Sequence, residues 1–84
     1  MVLEKTHKVT LLNDDINSYE YVMACLIRFC KHDPIQAEQC ATLTDKVGKC
    51  DIKLGNIDDM LEIVESLEDL GLKVELSVYE SNLH

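Results

Sequence analysis

The sequence predicts an α+β fold, a two-layer sandwich in which a three-stranded antiparallel sheet is covered by three helices in the order β-α-α-β-α-β. Three observations predict it. Three short segments alternate apolar and polar residues, three longer ones repeat apolar residues every three or four positions, and capping or turn-forming residues stand at the junctions. Strands that are apolar on one side only must bury that side, and the helices are what can cover it.

His7–Leu12 reads as the first strand, with Val9 and Leu11 on one side and Lys8 and Thr10 on the other. Asn13 to Ser18 then stacks turn formers, whose side chains bond nearby amides in place of a strand ladder. Asn17 is expected to cap the first helix, with Glu20 completing a capping-box-like pair. Tyr19, Val22, Met23, Leu26, Phe29 and Cys30 would form its buried stripe. The run Asp33-Pro34-Ile35-Gln36 opens a second helix: Asp33 caps, Pro34 fills a position where its missing N–H costs nothing, and Gln36 reaches back. Ala37, Cys40, Ala41 and Thr44 share one face of that helix, which ends near Gly48.

Lys49–Leu54 alternates again, with Cys50, Ile52 and Leu54 inward. Asn56 is placed to cap a third helix, and Asp58 and Asp59 sit in its first turn, where the helix dipole favours negative charge. Its apolar stripe is Ile57, Met60, Leu61, Val64 and Leu67, much of the remainder is acidic, and Gly71 supplies the stop. Leu72–Val78 is the last strand, followed by a tail, Ser81–His84, expected to fray. Residues 1–84 read as one domain with an ordered core over 7–79.

A formal charge of −8, from 16 acidic and 8 basic residues, argues against nucleic acid as partner, since phosphates need Lys/Arg clusters. It suits a cationic partner such as a free peptide α-amine, although a solvated acidic face kept for solubility is the simpler account of the charge as a whole. Apolar runs are too short to span a membrane and Met1–Lys8 is polar, so neither a membrane anchor nor a signal peptide is expected and the location is cytoplasmic. Cys25, Cys30, Cys40 and Cys50 contain no C-x-x-C pair and fall in apolar phases, which predicts buried structural thiols rather than a metal site with His32, and a reducing compartment.

No catalytic constellation is present in the sequence. The serines have no neighbouring histidine, no phosphate-cradling glycine loop or metalloprotease motif occurs, and His7, His32 and His84 are scattered as surface residues. The chain is expected to be no enzyme, with no cofactor and no metal. What stands out is the Asn13–Asn17 loop at a strand-to-helix junction. It reads either as turn chemistry and capping alone, or as a carboxylate-rich lip beside an apolar helix stripe, able to pair with an ammonium while the stripe accepts an apolar side chain.

The run Lys8-Val9-Thr10-Leu11-Leu12-Asn13-Asp14-Asp15 resembles the opening of the ClpS family, the adaptors of Clp proteases. Tyr19-Glu20-Tyr21-Val22, then Leu26 and Phe29, fit the spacing of that family's first helix, and Ala37-Glu38-Gln39 resembles part of its second. The resemblance implies an adaptor that binds proteins through the α-amine and bulky hydrophobic side chain of their first residue. It also implies delivery of them to the N-terminal domain of a Clp-type AAA+ unfoldase. By matching position, Asn13, Asp14 and Asp15 would line the binding site, with Asn13 and Asp14 bonding the amine and first peptide group. Asn17 would stand at the rim in place of a family Thr, Tyr19 in place of a gatekeeper Met, Val22 as a wall, and Ala41 and Thr44 as apolar wall positions. Asp45 stands where the family has a histidine that helps hold the amine. Asp58 matches an acidic residue used in unfoldase docking, whereas Glu62 and Ile63 stand where a basic residue is expected. About six residues precede the first strand, where the family carries a long extension used in delivery. Two further readings stay open: an interaction domain of this architecture that has lost amine recognition, like the ribosomal stalk's C-terminal domain, and a cysteine-based metal or redox protein, which the spacing disfavours.

Overall fold

A computed structural model describes residues 6–79. Its elements run β1 (His7–Leu12), α1 (Tyr19–Phe29), α2 (Pro34–Val47), β2 (Lys49–Gly55), α3 (Ile57–Asp69) and β3 (Val74–Val78). The three strands form one antiparallel sheet in the order β2-β1-β3, so the first strand lies at the centre. β1 pairs through Leu12↔Lys49 and Leu11↔Val74, and its register with β2 shifts between Val9 and Thr10. The predicted fold class and element order are those observed.

Val9 and Leu11 project from the central strand into the core and are almost wholly buried. Leu26 of α1 and Cys30 just past its end, Ala37 and Cys40 of α2, and Met60 and Leu67 of α3 meet them there, together with Cys50 and Ile52 of β2. Thr10, in the opposite phase of β1, donates from Oγ1 to Asp51 Oδ1 at 2.7 Å, while Lys8 Nζ lies 3.3 Å from Asp51 Oδ2. These cross-strand contacts on polar side chains tie β1 to β2 on the outer phase of the pleat.

Four local expectations are corrected. Ser18, not Asn17, is the N-cap of α1, its side chain accepting from the Tyr21 N–H at 3.1 Å, because the Asn17 amide is committed elsewhere. Tyr19 and Phe29, at the two ends of α1, are exposed, and Cys25 takes a buried place that the stripe did not include. On α3, Ile57 and Leu61 are also exposed; at about 100° per residue Leu61 points roughly 100° away from Met60, whereas Val64 and Leu67 stay within about 40° of it. The last strand begins at Val74 rather than Leu72. Gly71, at φ 88°, and Leu72 belong instead to the stop of α3: the Leu72 N–H donates to Leu67 O at 3.0 Å and the Gly71 N–H to Glu68 O at 2.9 Å, a Schellman closure.

His32 is likewise not a surface residue. Lys31 adopts a left-handed conformation, φ 59°, which turns the chain back beneath α1. The His32 ring is thereby buried, with Nε2 2.9 Å from Ile52 O. The N-cap residues of the other two helices are as the sequence indicates: Asp33 accepts from the Gln36 N–H at 2.7 Å and Asn56 from the Asp59 N–H at 2.8 Å, but the Gln36 side chain makes no return bond to Asp33. All four cysteines are buried and unbridged. The expected frayed tail, Ser81–His84, lies outside the described residues.

Candidate functional site

The central strand β1 ends between two turns. The Leu12 N–H donates to Lys73 O, just before β3, and the Asn13 N–H donates to Gly48 O, between α2 and β2, both at 2.9 Å. Beyond that point the chain has no ladder to join, and Asp14 organises it instead. Asp14 Oδ1 accepts from the backbone N–H groups of Ile16 and Asn17, both at 2.8 Å, and Oδ2 accepts from the Asn17 side-chain amide at 3.0 Å. The same Asn17 amide donates to Gly71 O at 2.8 Å, so the loop is fastened to the end of α3. Short Asx-type bonding of this kind is what an Asn/Asp-rich stretch does where secondary structure stops.

A cavity of about 80 Å³ opens beside this loop, between the end of β1 and the helices α1 and α2. Leu11, Val22 and Ala41 give it an apolar interior, and Leu12 and Thr44 complete the wall. Thr44 spends its hydroxyl on Cys40 O at 2.8 Å, which makes it behave as the apolar wall position it was expected to be. Asn13, Asp14, Asn17 and Asp45 supply the polar edge, and Asn13 and Asp45 are exposed to water at the mouth. Tyr19 stands at the entrance, its hydroxyl 2.8 Å from Thr42 Oγ1 and donating to Glu38 O at 3.3 Å, so α1 and α2 are joined beside the opening.

Partial burial works against ionisation of Asp14, but the N–H groups of Asn17 and Ile16, the Asn17 amide and the Lys73 cation outweigh it and hold the carboxyl below its ordinary value. The carboxylate is therefore charged at neutral pH. A carboxylate has about four acceptor sites, and three donors already occupy Asp14, leaving one on Oδ2. Asp14 thus serves the loop first. Asn13 and Asp45 hold the remaining polar capacity of the rim.

Eight of the residues singled out from the sequence line this single cavity: Asn13, Asp14, Asn17, Tyr19, Val22, Ala41, Thr44 and Asp45. Asp15 does not; it is exposed and lies outside the cavity lining. Asp58 lies in the first turn of α3, outside the cavity. Leu11 and Leu12 were not singled out, although Leu11 lies in the apolar phase of a strand that runs straight into the polar loop, a signal the sequence did contain. Among the described residues no three His, Cys, Asp or Glu side chains gather as a metal ion would require, and no helix is long and apolar enough to cross a membrane.

No curated protein matches this chain in sequence. The solved structure of Agrobacterium tumefaciens ClpS2 bound to L-phenylalaninamide superposes with a TM-score of 0.85 at 21% identity, over 89% of this chain and 98% of that one, a likeness of fold. The family described as ATP-dependent Clp protease adaptor protein ClpS matches residues 3–75. With its sheet order, its helices and nearly all of its sequence accounted for in this way, the chain belongs to the ClpS family of Clp protease adaptors.

Proposed function

We propose that the cavity receives the first residue of another polypeptide and that the bound protein is handed to a Clp-type AAA+ unfoldase. The observation that carries this reading is one cavity with an acidic rim, Asp14 and Asp45, and an apolar interior, Leu11, Val22 and Ala41. An α-ammonium exists only where a chain begins, so a rim that accepts it selects chain starts over internal segments. Charge-assisted hydrogen bonds to the ammonium contribute roughly 1.5–3 kcal/mol each when water is excluded. Burying an apolar side chain contributes about 1.5–3 kcal/mol more. After association costs, terms of this size give a weak, reversible hold, which lets an adaptor release its cargo.

L-Phenylalaninamide, the ligand named for the Agrobacterium tumefaciens ClpS2 structure, presents a free amine, an apolar ring and an amide where a chain would continue. Those are the three groups for which the present rim and interior offer partners. In this chain the ammonium would meet Asn13, the free acceptor site of Asp14 and, as a direct ion pair, Asp45. Asp58, with the acidic surface of α3 around it, is assigned to unfoldase docking.

The test is a titration with peptides that begin with Leu or Phe, each beside its N-acetylated counterpart. Binding that falls at least tenfold on acetylation is expected; binding indifferent to acetylation would remove the amine from the reading. Asp45→Ala probes the rim separately, and an unchanged affinity would show that Asp45 takes no part. A second reading, an interaction domain of the same fold without amine recognition, is favoured by one observation: three of the four acceptor sites of Asp14 are already filled from within the loop.

A further inference from the structure

Cys40, on the inner face of α2, and Cys50, on β2, bring their sulfur atoms to 2.6 Å. That is only about half an ångström longer than an S–S bond. Both side chains are buried and both sulfurs face the Asp51 carbonyl, at 4.0 and 3.5 Å. We propose that Cys40 and Cys50 are a disulfide-forming pair whose oxidation staples α2 to β2 and closes a covalent ring around the wall of the cavity.

The ring is residues 40–50, and it contains Ala41, Thr44 and Asp45, all on the cavity, together with Gly48, whose carbonyl anchors the Asn13 N–H. A bond here would therefore stiffen one whole side of the site without adding a group to it. Cys25 and Cys30, also buried, have no such partner sulfur within hydrogen-bond reach among the described residues.

The bond forms by two exchanges with a low-molecular-weight disulfide. One cysteine, as thiolate, attacks a sulfur of the small disulfide and expels one small thiolate. The second cysteine then attacks the protein sulfur of the mixed disulfide, forming the Cys40–Cys50 bond and expelling the other. The protein loses two protons and two electrons, and the small disulfide is reduced to two thiols. Burial pushes the Cys40 thiol up to about 12, so little thiolate is present in the closed fold and exchange waits on local opening. The reaction is accordingly slow compared with that of an exposed thiol.

The experiment uses the whole chain, folded, with glutathione disulfide as oxidant, followed by blocking of residual thiols and tryptic mapping. Cleavage after Lys and Arg places each cysteine on its own fragment, Cys40 in residues 32–46 and Cys50 in residues 50–53, so the pairing is unambiguous. The expected result is a cross-link between those two fragments, a rise in Tm on the order of 10 °C that dithiothreitol reverses, and slower amide exchange across residues 41–48. A cross-link through Cys25 or Cys30 would overturn the proposal. So would one that forms only in denaturant, or a Cys40–Cys50 bond that leaves Tm and exchange unchanged. These readouts need no peptide ligand, so their failure is separate from any failure of amine recognition.

Discussion

The Tyr19 hydroxyl lies 2.8 Å from the Thr42 hydroxyl, a bridge from the first turn of α1 to the middle of α2 beside the cavity mouth. With that bridge closed, the cavity is about 80 Å³, roughly half the ~150 Å³ of an engineered apolar cavity that admits benzene. A Leu side chain is therefore accommodated with less rearrangement than a Phe ring. In peptide titrations Leu-initiated peptides are expected to bind more tightly than Phe-initiated ones. Tyr19→Phe, which deletes the bridge for a loss of about 1 kcal/mol or less in stability, is expected to narrow the difference. A Phe preference in the unmodified protein, or a preference unmoved by Tyr19→Phe, would show that the bridge does not set the size limit.

Asp14 fixes the loop through its charge. Its folded carboxyl is held below the ordinary 3.8, so the native state binds fewer protons than the unfolded one in that range. The resulting stability is present at neutral pH and is lost as pH falls through the lowered value. Asp51, lowered chiefly by the Thr10 hydroxyl and also by Lys8, adds a term of the same sign. Asp14→Asn is expected to flatten the acid limb of the stability curve relative to the parent and to reduce affinity for unacetylated peptides at least tenfold. Denaturation midpoints collected from pH 2 upward, with parent and variant side by side, read the first effect. Coincident acid limbs would contradict it.

Gly48 tests whether the α2–β2 turn positions Asn13. It ends α2 at φ 105°, and a methyl group added there would meet nothing within 4 Å. Gly48→Ala thus imposes only the backbone cost of a left-handed L-residue, about 1–2 kcal/mol. Any relaxation of that strain displaces the carbonyl to which the Asn13 N–H donates. Chemical denaturation is expected to show the stability loss and peptide titration a parallel loss of affinity. Affinity unaffected in a clearly destabilised variant would separate Asn13 from the turn.

Leu67 is completely buried where α3 meets the sheet, and its carbonyl also receives the Leu72 N–H that closes the helix. Leu67→Ala is expected to cost about 2–5 kcal/mol through lost burial and the cavity left behind, a large part of the roughly 5–15 kcal/mol typical of a folded domain. Thermal unfolding checks it. A shift within the error of the parent Tm would mean that the core collapses onto the gap far better than its packing suggests.

The helices were legible because their caps are written locally. Asp33, Pro34 and Asn56 act within three residues of themselves, and the structure uses them as the sequence indicates. Asn17 misled because its amide is claimed by Asp14 within the loop and by the distant carbonyl of Gly71, and Ser18 caps α1 instead. His32 misled for a similar reason. Nothing near it in sequence announces that Lys31 turns left-handed and delivers the ring to Ile52.

Alternation and three-to-four periodicity by themselves determined the element order and most of the buried faces, since side-chain direction follows from local backbone geometry. The residues around the cavity were indicated by the resemblance of the Lys8–Asp15 run and the helices after it to the ClpS family. Only the tertiary structure decided that β1 lies between β2 and β3, that Tyr19 reaches Thr42, and that two cysteines ten residues apart touch. Strand order, cross-helix bonds and sulfur contacts depend on how whole elements dock. A periodic pattern states which face must be covered, but not what covers it.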